Sequence, residues 1–297
     1  MRNAAVLSPA KVEVVPYRRR GPWRFVRRNR ILTAGIVVLA LVAGLALAAP
    51  LIATDPIAMK PADRLLPPSG AHWFGTDHLG RDVWARTVYG ARISLLVGLA
   101  VAAIAMAVGL AIGLLAGFVK TVEAVAMRLM DGLMAVPAIL LAIALVSLSR
   151  ASVAAVVVAI VIPEIPRVVR LVRAVVLSVR EQPYVEAAVA SGTRRAKILL
   201  RHILPATLPP LVVQATYVAA SAILIEAALS FLGAGTPPEI PTWGNMIAAS
   251  RIYLALAPWT VFCPGLALAA IVLAVNLVGD GLRDALGREV IKVKGKK

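Results

Sequence analysis

The chain of 297 residues holds a single cysteine, Cys263. It lies in an apolar run, so one chain can form neither an internal disulfide nor a thiolate metal cluster. Histidine is almost as rare. His72, His78 and His202 are scattered, and no pair has the spacing of a metal site. Acids are scarce too, with 15 Asp and Glu against 32 Lys and Arg. Charged residues of both signs make up only 16% of the chain, where about a quarter is usual for soluble domains. No GxxxxGKS or GxxxxGKT run occurs, so the chain has no phosphate-binding loop of its own.

What is present is apolar. Hydrophobic residues make up 60% of the chain and the mean hydropathy is +0.85. A soluble bundle of that composition would lack the polar residues to cover its surface. Several runs approach the roughly 20 residues that cross a bilayer as helix. The composition predicts an all-α polytopic membrane protein. The net charge of +17 raises the question of nucleic acid. The positive residues, however, cluster beside apolar runs. That placement fixes topology and touches the anionic heads of a phospholipid bilayer, and no nucleic acid partner is expected.

Six transmembrane helices are predicted. They cover residues 31–53, 94–118, 123–148 with Pro137 inside, 153–176 with Pro163, Glu164 and Pro166 inside, 211–232 and 258–278. The domains follow: a basic tail 1–30, the first transmembrane helix 31–53, an extracytoplasmic loop 54–93, a core 94–282 and a basic tail 283–297. The Ala-rich end of the first run, LALAAP, also resembles a signal peptide, but the run exceeds a normal apolar core and reads as an uncleaved helix. Six spans put both termini on one side. The first tail has Glu13 as its one acid among many bases, and the last tail has Asp284 and Glu289 against six bases. Residues 167–202 are also strongly basic, whereas residues 54–86 balance and 234–257 carry only Glu239 and Arg251. The positive-inside rule therefore sets both termini and the polar segment after the fourth span in the cytoplasm. The turn between the third and fourth spans is very short, at Ser149, Arg150 and Ala151.

Residues 184–205 read YVEAAVASGTRRAKILLRHILP, an ordered basic interruption between apolar spans. Pro183 suits a first helical turn, where its missing N–H is not needed. Glu186 follows at the positive end of the helix dipole. Ala187, Ala188 and Ala190 are small helix formers. Gly192 breaks the run, and Thr193 is a candidate cap for a second helix. Arg194, Arg195, Lys197 and Arg201 make a charged side; Ile198, Leu199 and Ile203 make an apolar one; Pro205 ends it. Two such helices present a knob to a soluble partner, or lie on the membrane with the basic side toward lipid phosphates. The residues alone leave both open.

The order Glu186-Ala187-Ala188, then Gly192, then Ile203-Leu204-Pro205 resembles the docking-loop motif of bacterial ATP-binding cassette importer permeases. The general motif has an aliphatic residue where His202 stands, and RHILP is similar to the peptide-transport branch. FGTDHLGRD at 74–82, ALSFLGAGTPPEIPTWGNMI at 228–247 and NLVGDGLRDAL at 276–286 resemble the same branch. Two stretches depart from it: TRRAKILL is unusually basic, and IPEIPRVVR lacks aromatic residues.

The resemblance implies a MetI-like type I importer permease fold with cytoplasmic coupling helices in the bacterial inner membrane. It implies a non-catalytic C-type subunit of a dipeptide, oligopeptide or nickel importer. The expected partners are a second homologous permease, two cytoplasmic ATP-binding subunits and an extracytoplasmic solute-binding protein. No cofactor is expected on the chain itself; ATP and magnesium are used by the ATPases. The coupling segment would be 183–205. Its docking residues would be Pro183, Glu186, Ala187, Ala188, Gly192, Arg194, Arg195, Ile198, Ile203 and Pro205, with Ala187, Ala188 and Ile198 packing on the ATPase.

Glu226 lies mid-span in AILIEAALSF, where a charge is costly, and reads as a pathway residue or a structural contact. Trp243 and Asn245, in the following loop, are candidates for closing the outer mouth, and Trp243 also fits an interfacial anchor. Asp77, Arg81 and Asp82 either lock the first loop or meet the binding protein. Glu164 and Arg167, three apart, can pair on one helical face. Rival functions are a permease for nickel or another small solute and a stand-alone proton-coupled carrier working through Glu226. A non-transporting scaffold is a third.

Overall fold

The computed structural model describes residues 29–148 and 151–287. Most of both basic tails, and Ser149 and Arg150 of the short turn, lie outside the described residues. The named elements of the described residues are all helices. Helix α1 covers Arg30–Ile52, and Asn29 caps it by accepting from the Leu32 N–H at 3.3 Å. Helix α2, Val83–Phe118, begins well before the expected second span. The cause is local. The Asp82 carboxylate accepts from the N–H groups of Trp84 at 2.8 Å and Ala85 at 3.2 Å, which sets the N-terminus there. The expected loop 54–93 thus loses its last residues to α2.

The expected third span is broken. Helices α3, Lys120–Met134, and α4, Ala138–Ser147, meet at an 87° bend around Pro137. Proline cannot donate to the ladder and clashes with the carbonyl four residues back, so the helix stops and restarts. Helix α5, Val153–Arg180, is started by Ser152, whose Oγ accepts from the Ala155 N–H at 3.1 Å. Then come α6, Pro183–Ala190; α7, Arg195–Ile198; a π-helical turn, Leu199–Ile203; and α8, Leu204–Phe231. Helices α9, Trp243–Ser250, and α10, Trp259–Gly287, complete the described chain.

Among the described residues, four helical stretches are long and apolar enough to cross a membrane: Arg30–Ile52, Val83–Phe118, Arg195–Phe231 and Trp259–Leu286. The bent pair α3 and α4 makes a fifth if it is one span. Helix α5 is long enough but carries Glu164, Arg167, Arg170 and Arg173 along its middle, which lowers its apolar content.

The core is centred on α2 and α5, which pack most extensively. Three glycines at four-residue spacing, Gly109, Gly113 and Gly117, face Val168, Val172 and Val176 of α5. A Cβ on any of them would come within 2.5 to 2.6 Å of the opposing valine. Small residues repeated every fourth position let two backbones approach, which drives helix association where water gives no hydrophobic push. A second cluster joins α1, α2, α8, α9 and α10 through Ala46, Ala220, Ile223, Trp243, Met246 and Ile271. Large apolar side chains such as Leu41, Leu47, Leu99, Leu266 and Leu273 stay exposed, as expected of faces that meet lipid or another subunit.

Candidate docking segment and pathway residues

The segment after α5 takes the two-helix form. Pro183 occupies the first turn of α6 and Glu186 lies in that turn. Gly192 has φ 72°, the left-handed conformation that side chains resist. Its N–H donates to the Val189 carbonyl at 2.9 Å, and the Thr193 N–H donates to the Ala188 carbonyl at 3.1 Å. These two bonds form a Schellman cap that satisfies the end of α6 and turns the chain. Thr193 therefore serves the first helix. It does not cap the second, whose N-cap is Arg194 with no side-chain cap bond.

Ile198 and Ile203 are turned inward, 2% and 0% exposed, within the main core cluster. They anchor the segment to its own subunit, so Ile198 does not lie on an outward apolar face. Val189 and Leu200, 60% and 61% exposed, supply that face instead. Sequence reading did not single out either residue. Pro183, Glu186, Ala187, Gly192, Arg194, Arg195, Lys197, Arg201 and Pro205 are exposed, and Ala188 is half-buried. Among the described residues, none of these charges joins an ion pair. Tyr184 and His202 face each other at 6.1 Å between ring centres and brace α6 against the π turn.

Pro205 does not end the second helix. It lies in the first turn of α8, and helix runs on from Arg195 to Phe231. The π turn just before it widens the ladder where the proline offers no N–H, so the helix continues through.

The other candidates gather at the opposite end of α2 and α8. Glu226 is 0% exposed. It accepts from Ser230 Oγ at 2.8 Å and from Ser94 Oγ of α2 at 3.4 Å. Trp243 is buried, and its Nε1 donates to the Thr87 carbonyl at 2.9 Å. It is thus no lipid-facing anchor but a cross-link between α9 and α2. The Asn245 amide donates to Thr236 Oγ1 at 3.0 Å and to the carbonyls of Thr236 and Pro237 at 3.1 Å, holding the loop before α9.

The first loop is locked by charge. Arg81 Nε donates to Asp77 at 2.7 Å, and the other Asp77 oxygen accepts from the Leu79 and Arg81 N–H groups. Arg86, nearly fully buried, lies 3.9 Å from Asp77 and donates to the Pro56 carbonyl at 3.0 Å. Desolvation by burial lowers the His78 imidazole below its ordinary value of 6.5, helped by the nearby arginines and opposed by Asp77. Its ring stacks on Tyr253 at 5.4 Å, and Trp259 Nε1 donates to the Thr76 carbonyl at 3.3 Å. Sequence reading missed Arg86, which looked like one more charge in a balanced loop.

A ladder of ion pairs follows α5 from its middle toward its C-terminal end. Arg167 pairs with Glu164 at 3.2 Å, Arg170 with Asp131 of α3 at 2.5 Å, and Arg173 with Glu123 of α3. The expected Glu164–Arg167 pair is present, and Ser221 Oγ of α8 also donates to Glu164 at 2.9 Å. Among the described residues, no group of three or more His, Cys, Asp or Glu is arranged to hold a metal.

Residues 109–292 match the family model described as the binding-protein-dependent transport system inner membrane component. A probable peptide ABC transporter permease of Sinorhizobium fredii is 59% identical over 88% of this chain and 90% of its own length. The chain belongs to this family of inner membrane components. A dipeptide transport system permease of Alkalihalophilus pseudofirmus is 41% identical, covering 89% of each chain. A chain of the inward-facing MetNI methionine ABC transporter superposes with a TM-score of 0.54, covering 68% of this chain and 96% of that one. With 20% identity, that likeness is one of fold. This family member is therefore an all-α, multi-pass membrane protein with a MetI-like permease fold, and it serves as the non-catalytic membrane part of an ABC transport system.

Proposed function

We propose that the chain is the permease half of an ATP-driven, binding-protein-dependent importer of di- or oligopeptides. The observation that carries this reading is the segment 183–205. Its base is buried by Val185, Ile198 and Ile203, while its outer face offers Glu186, Ala187, Val189, Arg194, Arg195 and Leu200, and among the described residues these charges have no ion-pair partner. A surface with rigid backing and unpaired charges suits a soluble partner better than lipid alone. The peptide branch of the reading is supported by relatives that carry peptide or dipeptide transport in their names.

In this reading two ATP-binding subunits use ATP and magnesium, and their closure moves the segment. The segment continues without a break into α8 and joins α5 through two residues, so a push on it reaches two core helices. Rigid-body motion of packed helices then alternates access. A second homologous permease completes the path, and a solute-binding protein docks outside. Helix α5 and the bent α3–α4 pair bring the number of spans to six, with both termini in the cytoplasm. Glu226, Trp243 and Asn245 form the outer gate region, and Asp77, Arg81 and Asp82 stiffen the loop beneath the binding protein.

Copurification tests the reading. The native complex, isolated through this chain, should bring down a second permease and two ATPase subunits by mass spectrometry. A chain that isolates alone, with uptake unchanged when every ATPase partner is deleted, would instead be a proton-driven carrier.

A further inference from the structure

Arg167 sits midway along the 28-residue α5, about 21 Å from its start at 1.5 Å per residue. A hydrocarbon core about 30 Å thick would enclose that position. Yet its side chain is 52% exposed, while its partner Glu164 is 1% exposed. A guanidinium at that depth is expensive against lipid and faces a water-filled cavity or another protein. The exposed residues in the later part of α5, Arg167, Arg170, Ala174 and Ser178, form one stripe along the helix. The stripe begins at Arg167 and leads toward the docking segment, whereas the exposed Ala154 and Val158 lie on the opposite face.

The three arginines of this half of α5 are not equivalent. Arg170 and Arg173 reach carboxylates on the neighbouring α3. Arg167 is held by Glu164 on its own helix, and a single nitrogen, Nη1, meets both carboxylate oxygens at 3.2 and 3.3 Å. Ser221 fixes Glu164 from behind at 2.9 Å. Among the described residues, Nε and Nη2 of Arg167 have no hydrogen-bond partner. That leaves one edge of a planar fork free, the edge that grips a carboxylate with two parallel bonds. The buried Glu164 keeps the guanidinium oriented without covering that edge.

We propose that Arg167 is a substrate contact within the membrane, binding the carboxylate of a peptide as it moves along the α5 stripe. This rests on the importer reading and names a specificity residue within it. The carboxylate would meet Nε and Nη2 of Arg167 first. Below it, Arg170 and Arg173 are already neutralised by Asp131 and Glu123, so a passing anion finds no deeper trap.

The test uses the complete complex in proteoliposomes, with its binding protein and trialanine as solute. Arg167→Gln should lower ATP-dependent uptake at least about tenfold, the effect of losing one charge-assisted hydrogen-bonded contact. Subunit copurification and binding-protein-stimulated ATP hydrolysis should stay within about twofold of wild type, and Arg167→Lys should recover part of the uptake. Arg167→Cys should react with the water-borne reagent 2-sulfonatoethyl methanethiosulfonate in at least one nucleotide state, and trialanine should slow that reaction. Wild-type uptake in Arg167→Gln overturns the proposal. So does loss of the second permease from the variant, which would assign the carboxylate to that subunit. A thiol in Arg167→Cys that stays unreactive in every nucleotide state also overturns it. Wild-type complex that takes up no trialanine with ATP refutes the importer reading instead.

Discussion

Gly192 gives the sharpest handle on how the docking segment works. Its φ of 72° places the turn between α6 and α7 in the left-handed region. A Cβ there would meet nothing within 4 Å, so the cost of a side chain is one of backbone alone. For alanine that cost is about 1–2 kcal/mol. A free-energy change of that size lowers the population of the formed turn by about five- to thirtyfold. Asparagine tolerates the conformation and should cost far less. Proline cannot adopt it at all, and it removes the N–H that donates to Val189 at 2.9 Å. The three variants form a series at one position with no change of charge. In proteoliposomes holding the complete complex, solute moved per ATP hydrolysed should fall in the order glycine, asparagine, alanine, proline. Gly192→Pro should stay in the membrane, since the core helices do not need the turn, but should be uncoupled. Wild-type, solute-stimulated transport by Gly192→Pro would refute the reasoning.

Gly113→Val should drive α2 and α5 apart, because a Cβ alone would lie 2.6 Å from that of Val172; overpacking of this kind costs about 1–3 kcal/mol. A thermal melt of the purified protein should show a lower Tm, and an unchanged Tm would contradict the packing. Asp82→Ala removes the carboxylate that caps α2 at Trp84 and Ala85 and should cost about 1 kcal/mol, with Asp82→Asn nearly neutral, again read by melting. Burial, the largest cause, lowers the His78 pKa in the folded loop below its unfolded value near 6.5. The loop's stability from this group is therefore full above about 6.5 and is lost as pH falls through the lowered folded value. Hydrogen exchange of the loop before α2, corrected for intrinsic rates, should speed up at about pH 5 relative to pH 7, and His78→Gln should remove that difference.

Much of the helical order was legible in the chain because its signals are local. Pro183 and Glu186 marked the start of α6, and Gly192 marked its end. Long apolar runs marked α1, α8 and α10. What was not legible depends on contacts distant in sequence. The isoleucines of the docking segment looked like an outward apolar side. They turn inward because α2, α5 and α8 close over them. Pro205 looked like a stop, yet a π turn carries the helix through it. The break at Pro137 was visible, but its 87° angle was not, since one proline permits a range of bends. Arg86 looked like one more charge in a balanced loop, and nothing in the chain paired the α3 acids with the α5 arginines, because pairing across 39 or 50 residues leaves no local pattern. The glycines facing Val168, Val172 and Val176 did repeat every fourth residue in the chain, a signal that was there to be read.

The central claim is that an ATPase drives solute through a path this chain half builds. Its most direct test is uptake of radiolabelled trialanine by sealed proteoliposomes holding the purified complete complex and its binding protein. Uptake should require ATP and magnesium on the ATPase side, and it should continue when a protonophore collapses the proton gradient. Uptake that proceeds without the ATPase subunits, or that stops with the protonophore while ATP is present, would contradict the account.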